Sequence, residues 1–323
     1  MESFETRIDL GGIKQTADTL KLEIGKYIVG QNQVIDLLLI AMLADGHVLL
    51  EGVPGVAKTL MAKLMAKTIS AKFRRIQFTP DLMPSDIIGT MVYNAKSGDF
   101  DFKRGPLFAN IVLTDEINRA PAKTQAALFE AMEERQITVD GTTHKLEKPF
   151  MVMATQNPIE QEGTYRLPEA QLDRFLFKIE VSYPSLQEEK QILKTFHEKK
   201  NQVDIESVNS FLDQAEIEKL RDVVQRVHAE ENLLGYIANI VHETRSHNAI
   251  LLGASPRASL AIMNAAKACA TLRGRDFISP DDVKYVTPHV LKHRIMLTPE
   301  KEMEGVHVTE VINMVIEKIE IPR

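Results

Sequence analysis

Apolar residues recur along the first part of the chain with the helical period. Ile13, Ala17, Leu20 and Ile24 are spaced four, three and four apart, which places them on one face of an amphipathic helix. Gly30 punctuates the pattern, and a second apolar helix is predicted around Val34 to Ala44. The pattern then changes. His47 to Glu51 (HVLLE) is a short apolar run that ends at Gly52 and reads as a buried strand, and a helix resumes near Thr59. Further strands are predicted at Arg75 to Phe78, Ile111 to Thr114, Phe150 to Ala154 and Phe177 to Val181, with helical segments such as Lys123 to Glu134 between some of them. Apolar strands alternating with helices imply an α/β fold whose parallel sheet is covered on both faces.

Two stretches interrupt this alternation and are too long for plain connections: Leu82 to Leu107 and Gln136 to Lys148. The second carries Ile137, Val139, Asp140-Gly141 and then alternating residues to Leu146, a hairpin pattern around a tight turn. Beyond Pro184 the character shifts again. Ile217, Leu220, Val224 and Val227, then Leu260, Met263 and Ala266, keep helical spacing, so an all-helical second domain is expected, without strands. Ser255-Pro256 suits a helix start.

Composition narrows the function classes. With 323 residues, 44% hydrophobic and 26% charged, the chain resembles a globular protein able to bury a core. A single cysteine, Cys269, excludes an intramolecular disulfide framework and points to a reducing cytoplasm. The net charge of -6 is spread along the chain, and there is no Trp, so nucleic acid is not an expected partner. The most apolar window, Leu37 to Ala44, is bounded by Asp36 and Asp45 and is far too short to span a bilayer; the acidic stretch Met1 to Glu5 does not read as a secretion signal. His228, His242 and His247 fall in helical surface patterns without a metal-binding motif.

Chemistry enters at Gly52-Val53-Pro54-Gly55-Val56-Ala57-Lys58-Thr59, followed by Leu60 and the rest of a helix. A strand, a glycine loop and a helix start form the context in which backbone N–H groups cradle phosphates. Lys58 would bind the terminal phosphates, and Thr59 would offer its hydroxyl to Mg²⁺. Ala57 stands where the general motif has Gly. Because left-handed backbone costs a non-glycine residue about 1 to 2 kcal/mol, a negative φ is expected at Ala57, with the unusual torsions at Gly52 or Gly55. The second signal is the apolar run Ile111 to Thr114 ending in Asp115-Glu116. At the carboxyl end of a parallel strand, Asp115 can hold the metal's shell and Glu116 can orient a water. Taken alone, such a pair is a solvated strand end; beside a phosphate loop it is catalytic machinery.

These residues resemble the MoxR family of AAA+ ATPases. The resemblance is carried by the Ala57-Lys58 form of the loop, Gly105-Pro106-Leu107-Phe108, Asp115 to Ala120, Ala154-Thr155-Gln156-Asn157-Pro158 and Glu162 to Phe175, and spans Val29 to about Arg257. It implies a P-loop NTPase of AAA+ type, with a three-layer αβα core over residues 1–183 and a helical lid over 184–323. The stretches 82–107 and 136–148 would be its helix-2 insert and its hairpin. It further implies that Asn157 senses the γ-phosphate, that Arg174 is a finger reaching a neighbour's site, that Arg257 is a second sensor on the lid, and that Ile28 and Val29 pack on adenine. Without the resemblance, Asn157 is an Asn-Pro turn, Arg174 a helix-end ion pair, and Ile28 and Val29 core. ATP and Mg²⁺ are the implied ligands. The implied assembly is a homo-oligomeric ring, a hexamer, acting chaperone-like on protein complexes beside a von Willebrand factor A domain partner. A magnesium-chelatase-type motor or a nucleic-acid translocase would share the same residues, whereas a nucleotide-switched scaffold with incidental hydrolysis would have no need of Glu116, Asn157 and Arg174 together. The apolar stretch Asp86 to Tyr93 in the first insert is expected either to contact clients, through Met91 and Tyr93, or to pack on its own core.

Overall fold

The computed structural model describes residues 10–157, 165, 167–198, 205 and 207–322; Pro158, the stretch 162–164 and Arg166 of the motifs above lie outside them. The elements run α1 (Gly11–Gly25), α2 (Asn32–Leu43), β1 (His47–Glu51), α3 (Lys58–Thr68), β2 (Phe73–Gln77), α4 (Pro84–Ile88), β3 (Gly89–Asn94), β4 (Asp99–Arg104), β5 (Ile111–Asp115) and α5 (Ala122–Glu134). There follow β6 (Gln136–Val139), β7 (Thr142–Lys145), β8 (Met151–Gln156), α6 (Glu169–Leu172), β9 (Phe175–Glu180), α7 (Leu186–Glu198), α8 (Gln214–Arg226) and α9 (Glu231–Glu243). The chain closes with β10 (Ile250–Leu252), α10 (Pro256–Leu272), α11 (Pro280–Leu291), β11 (Met296–Leu297), α12 (Pro299–Met303) and α13 (Val308–Lys318).

Among the described residues, β2, β5, β8, β1 and β9 pair in that order into one sheet, and every neighbouring pair is parallel. The two-residue period of the strands divides their side chains between two cores. Val48 and Leu50, Ile111 and Leu113, and Met151 and Met153 pack with α2, α3 and the later helices α8 to α11. Leu49, Val112, Val152 and Ala154 face the other way, against Leu128, Phe129 and Met132 of α5. A register shift between His47 and Val48 breaks the alternation in β9, so Phe175 joins the second core while Phe177 joins the first. The predicted strands are present with ends moved by up to two residues.

Both long insertions fold as hairpins. Asp140 and Gly141 both take positive φ, 49° and 75°, as a tight hairpin turn requires, and they join β6 to β7. The first insertion holds α4 and the ribbon β3–β4. The segment after Pro184 departs from the all-helical expectation: β10 and β11 form a small antiparallel ribbon. Strands of three and two residues are too short to leave a periodic trace in the sequence. Ser255 precedes α10 with Pro256 in its first turn, as expected. Among the described residues, no helix is long and apolar enough to cross a membrane.

Candidate functional site

The register brings four strand ends to one edge of the sheet. Glu51 pairs with Gln156, Gln77 pairs with Asp115, and Thr114 pairs with Ala154. Consequently the loop from Gly52, the Asp115-Glu116 pair and Asn157 all lie at the carboxyl edge, where ligands of open parallel sheets bind. Gly52 donates its N–H to the Gln156 carbonyl at 3.3 Å, and a Cβ there would meet the Val181 carbonyl oxygen at 2.5 Å, so only glycine fits this turn. Lys58 opens α3 and donates from Nζ to the Gly52 carbonyl at 2.6 Å, which folds its ammonium back over the loop. Thr59 follows it in the first helical turn.

Ala57 overturns the expectation placed on it. Its φ is 60° and ψ 21°, left-handed, immediately before α3, and Gly55 at φ 89° carries the other unusual torsion. Gly55 and Ala57, two apart, carry the loop's reversals just before the helix starts at Lys58, and a methyl is the smallest side chain that can sit there after hydrogen. Such strain collects at ligand-binding loops. Glu116 shows the same feature, with φ 57° and ψ 51°.

The acidic pair is tied to β2, a contact the sequence did not signal. Asp115 accepts from Thr155 Oγ1 at 3.2 Å through Oδ1 and pairs with Arg75 Nε at 2.5 Å through Oδ2. Arg75 also reaches Gln77 Oε1 at 3.3 Å, and Gln77 Nε2 donates to Glu116 Oε2 at 2.7 Å. Arg119 lies 3.2 Å from the same Glu116 oxygen. Arg75 and Gln77 are two apart on one strand face, next to β5, which is the only trace the sequence carries of this arrangement. The donor set of Thr59 and Asp115 is made of hard oxygens, the chemistry Mg²⁺ prefers, and the largely buried carboxylate already holds a cation at its outer oxygen.

A cavity of about 210 Å³ opens beside the loop. Ile28 and Val29 line it with Gly55, Val56, Ala57 and Leu60, and across from them stand Pro184, Ile192 and Phe196. The last two sit four apart on α7, a spacing that puts them on one helix face; the sequence analysis did not select them. Gly30, at φ 78°, lies under the Glu188 carboxylate, so α7 closes directly on the segment that carries Ile28 and Val29.

Arg174 and Arg257 do not join this constellation. Arg174 precedes Phe175, which pairs with His47 at the start of β1, five residues before Gly52; at about 3.3 Å per residue the two sheet edges are roughly 16 Å apart. Arg174 Nη1 donates to the Phe129 carbonyl at 2.6 Å and lies 3.4 Å from Glu133 Oε2. Arg257, 63% exposed, lies 3.8 Å from the other Glu133 oxygen, and its neighbour Ser255 contacts Asp173 at 3.4 Å. Arg294 fixes the backbone on both sides of Arg174, donating to the Asp173 and Phe175 carbonyls at 3.0 and 2.7 Å and pairing with the Asp173 carboxylate at 2.6 Å. Burial draws the Arg294 guanidinium below its ordinary value, and Asp173 opposes that shift.

Residues 47–177 match the family described as ATPases associated with various cellular activities (AAA), and residues 242–315 match an AAA lid domain. The chain is 44% identical to the chaperone MoxR1 of Mycobacterium tuberculosis, over 95% of its own length and 83% of that protein's. It is 50% identical to the uncharacterized protein YeaC of Bacillus subtilis over 93% and 92% of the two chains. A crystal structure of an inferred ATPase from Cytophaga hutchinsonii superposes with a TM-score of 0.90 at 42% identity, covering 97% of both chains.

Proposed function

The chain belongs to the MoxR family of AAA+ ATPases, and from that premise we propose that it binds and hydrolyses ATP with Mg²⁺ at sites completed by a neighbouring copy. The observation that carries this reading is the convergence of Lys58, Asp115 and Glu116 on one sheet edge. Backbone N–H groups at the start of α3 receive the phosphates, and the Lys58 ammonium leaves the Gly52 carbonyl to pair with them. Thr59 and Asp115 hold the metal side, and Mg²⁺ bound there supplies counter-charge to the phosphate oxygens. Glu116 orients and polarises the attacking water, with Asn157 beside it at the end of β8. Ile28, Val29 and Leu60 pack on the base, covered by Ile192 and Phe196.

Arg174 stands at the sheet edge opposite its own loop, and Arg257 shares its Glu133 partner, which supports their use in a neighbour's site and hence a head-to-tail ring, most simply a hexamer. We assign residues 1–183 to the nucleotide-binding core and 184–323 to the lid. The output is chaperone-like action on a protein client in the cytoplasm, with a von Willebrand factor A domain protein as the partner class. The mutant pair Lys58→Ala and Glu116→Gln tests the site. Lys58→Ala is expected to lose ATP binding and Glu116→Gln to keep binding while losing turnover. Equal affinity of both for ATP by calorimetry refutes the phosphate-loop assignment.

A further inference from the structure

We propose that Arg75 is a positioning residue that occupies the cation's place at Asp115 and is displaced when Mg²⁺ arrives with the nucleotide; this rests on the reading of Asp115 as the metal-side carboxylate. Asp115 ends a strand buried along its whole length, and its side chain is only 11% exposed. A carboxylate so placed needs a counter-charge or a full set of donors. Its inner oxygen has Thr155. Its outer oxygen has Arg75, at 2.5 Å. Arg75 itself is 52% exposed and bridges to Gln77 through a long contact of 3.3 Å, so it can swing into solvent without opening a core.

The two cations compete for one carboxylate. Mg²⁺ held through Asp115 would draw on the same carboxylate charge that Arg75 Nε now neutralises, and the two cations would repel each other across it. Nucleotide without metal would leave the pair intact, whereas nucleotide with metal would weaken it and favour the solvent-facing position open to the half-exposed Arg75. Arg75 therefore lowers the advantage that Mg²⁺ gives to ATP binding, while keeping the carboxylate neutralised and correctly placed when the site is empty of metal.

Calorimetry of ATP binding with Mg²⁺ and with EDTA gives the test. In the unmodified chain Mg²⁺ tightens ATP binding by some factor; in Arg75→Gln that factor is expected to grow, on the order of fivefold for a half-exposed charge pair. Asp115→Asn should remove the growth when combined with Arg75→Gln. An equal or smaller Mg²⁺ factor in Arg75→Gln overturns the proposal. Absence of ATP binding by the unmodified chain would instead refute the phosphate-loop reading on which it stands. Should Arg75→Gln fail to fold, a crystal structure of the unmodified chain with Mg²⁺ and a non-hydrolysable ATP analogue decides: Arg75 Nε is expected beyond hydrogen-bond distance of Asp115 Oδ2, and a retained pair overturns the idea.

Discussion

Two residues of the candidate site carry backbone strain beside their chemistry. Ala57 and Glu116 both hold left-handed backbone, at about 1 to 2 kcal/mol for a residue with a Cβ. For Ala57 this strain should be releasable. Ala57→Gly is expected to keep ATP binding and to stabilise the fold by up to about 1 kcal/mol, part of the gain being offset by the extra freedom of glycine in the unfolded chain. Ala57→Val should destabilise it, since a β-branched side chain tolerates that backbone worst. Urea midpoints of the two variants check the signs, and a less stable Ala57→Gly contradicts the strain argument. The sequence named Ala57 as the departure from the usual motif, yet its torsion was read with the wrong sign, because the intrinsic preference of one residue was allowed to outweigh the geometry of the loop around it. Arg75 and Gln77 were invisible for a different reason: their partners lie 40 and 39 residues away, and only the β2–β5 register brings them together.

At the level of elements, the sequence was legible wherever a period had room to develop. β1 was delimited residue for residue, and α1, α2 and α5 fell within two residues of their expected ends, because each carries a complete apolar face or run. β10 and β11 were missed because apolar runs of three and two residues are too short to be told from their helical surroundings. The first insertion shows what pattern alone leaves open. Met91, Tyr93, Phe100 and Phe102 share one face of the β3–β4 ribbon, with Met91 opposite Phe102 and Tyr93 opposite Phe100. At the root of the ribbon Phe102 stacks on His144 of the second insertion at 4.4 Å, so that end packs on its own chain. Toward the tip, Tyr93 and Phe100 pair at 5.4 Å while remaining 56% and 64% exposed. The expectation of packing on its own core thus holds at the root, with Ile87 buried, and at the tip Tyr93 with Phe100, rather than Met91, forms the outward pair that a client contact would use. Tyr93→Ser/Phe100→Ser should cost less than about 1.5 kcal/mol of stability, the worth of an aromatic pair. Basal ATP turnover should be unchanged and capture of a protein client weakened. Unchanged client capture by a folded double variant would move the contact off this ribbon.

For the whole molecule, the decisive geometry is the separation of the phosphate loop from Arg174 along the length of β1, with Arg257 beside the same Glu133. Glu133 lies within ion-pair distance of both arginines, and Arg294 pins the backbone on both sides of Arg174, so Arg174 from the core and Arg257 from α10 stand together on the side of Glu133. Arg174→Ala should still bind ATP while turning it over on the order of 10³-fold more slowly, the usual worth of an arginine supplied by a neighbour. Mixing it with inactive Lys58→Ala subunits should restore turnover, at junctions made of the first subunit's intact loop and the second's intact arginine. Arg257→Ala should behave the same way with Lys58→Ala. The mixture of Arg174→Ala with Arg257→Ala separates the possibilities, with turnover per mole of subunit as the measurement. If both arginines serve the neighbour, every junction lacks one of them and the mixture stays as slow as its parts. If Arg257 serves its own loop, a junction between an Arg174→Ala loop and an Arg257→Ala neighbour holds one intact copy of each arginine, and turnover returns. The shared contact with Glu133 predicts the first outcome, and recovery of activity in that mixture would place Arg257 back over its own nucleotide.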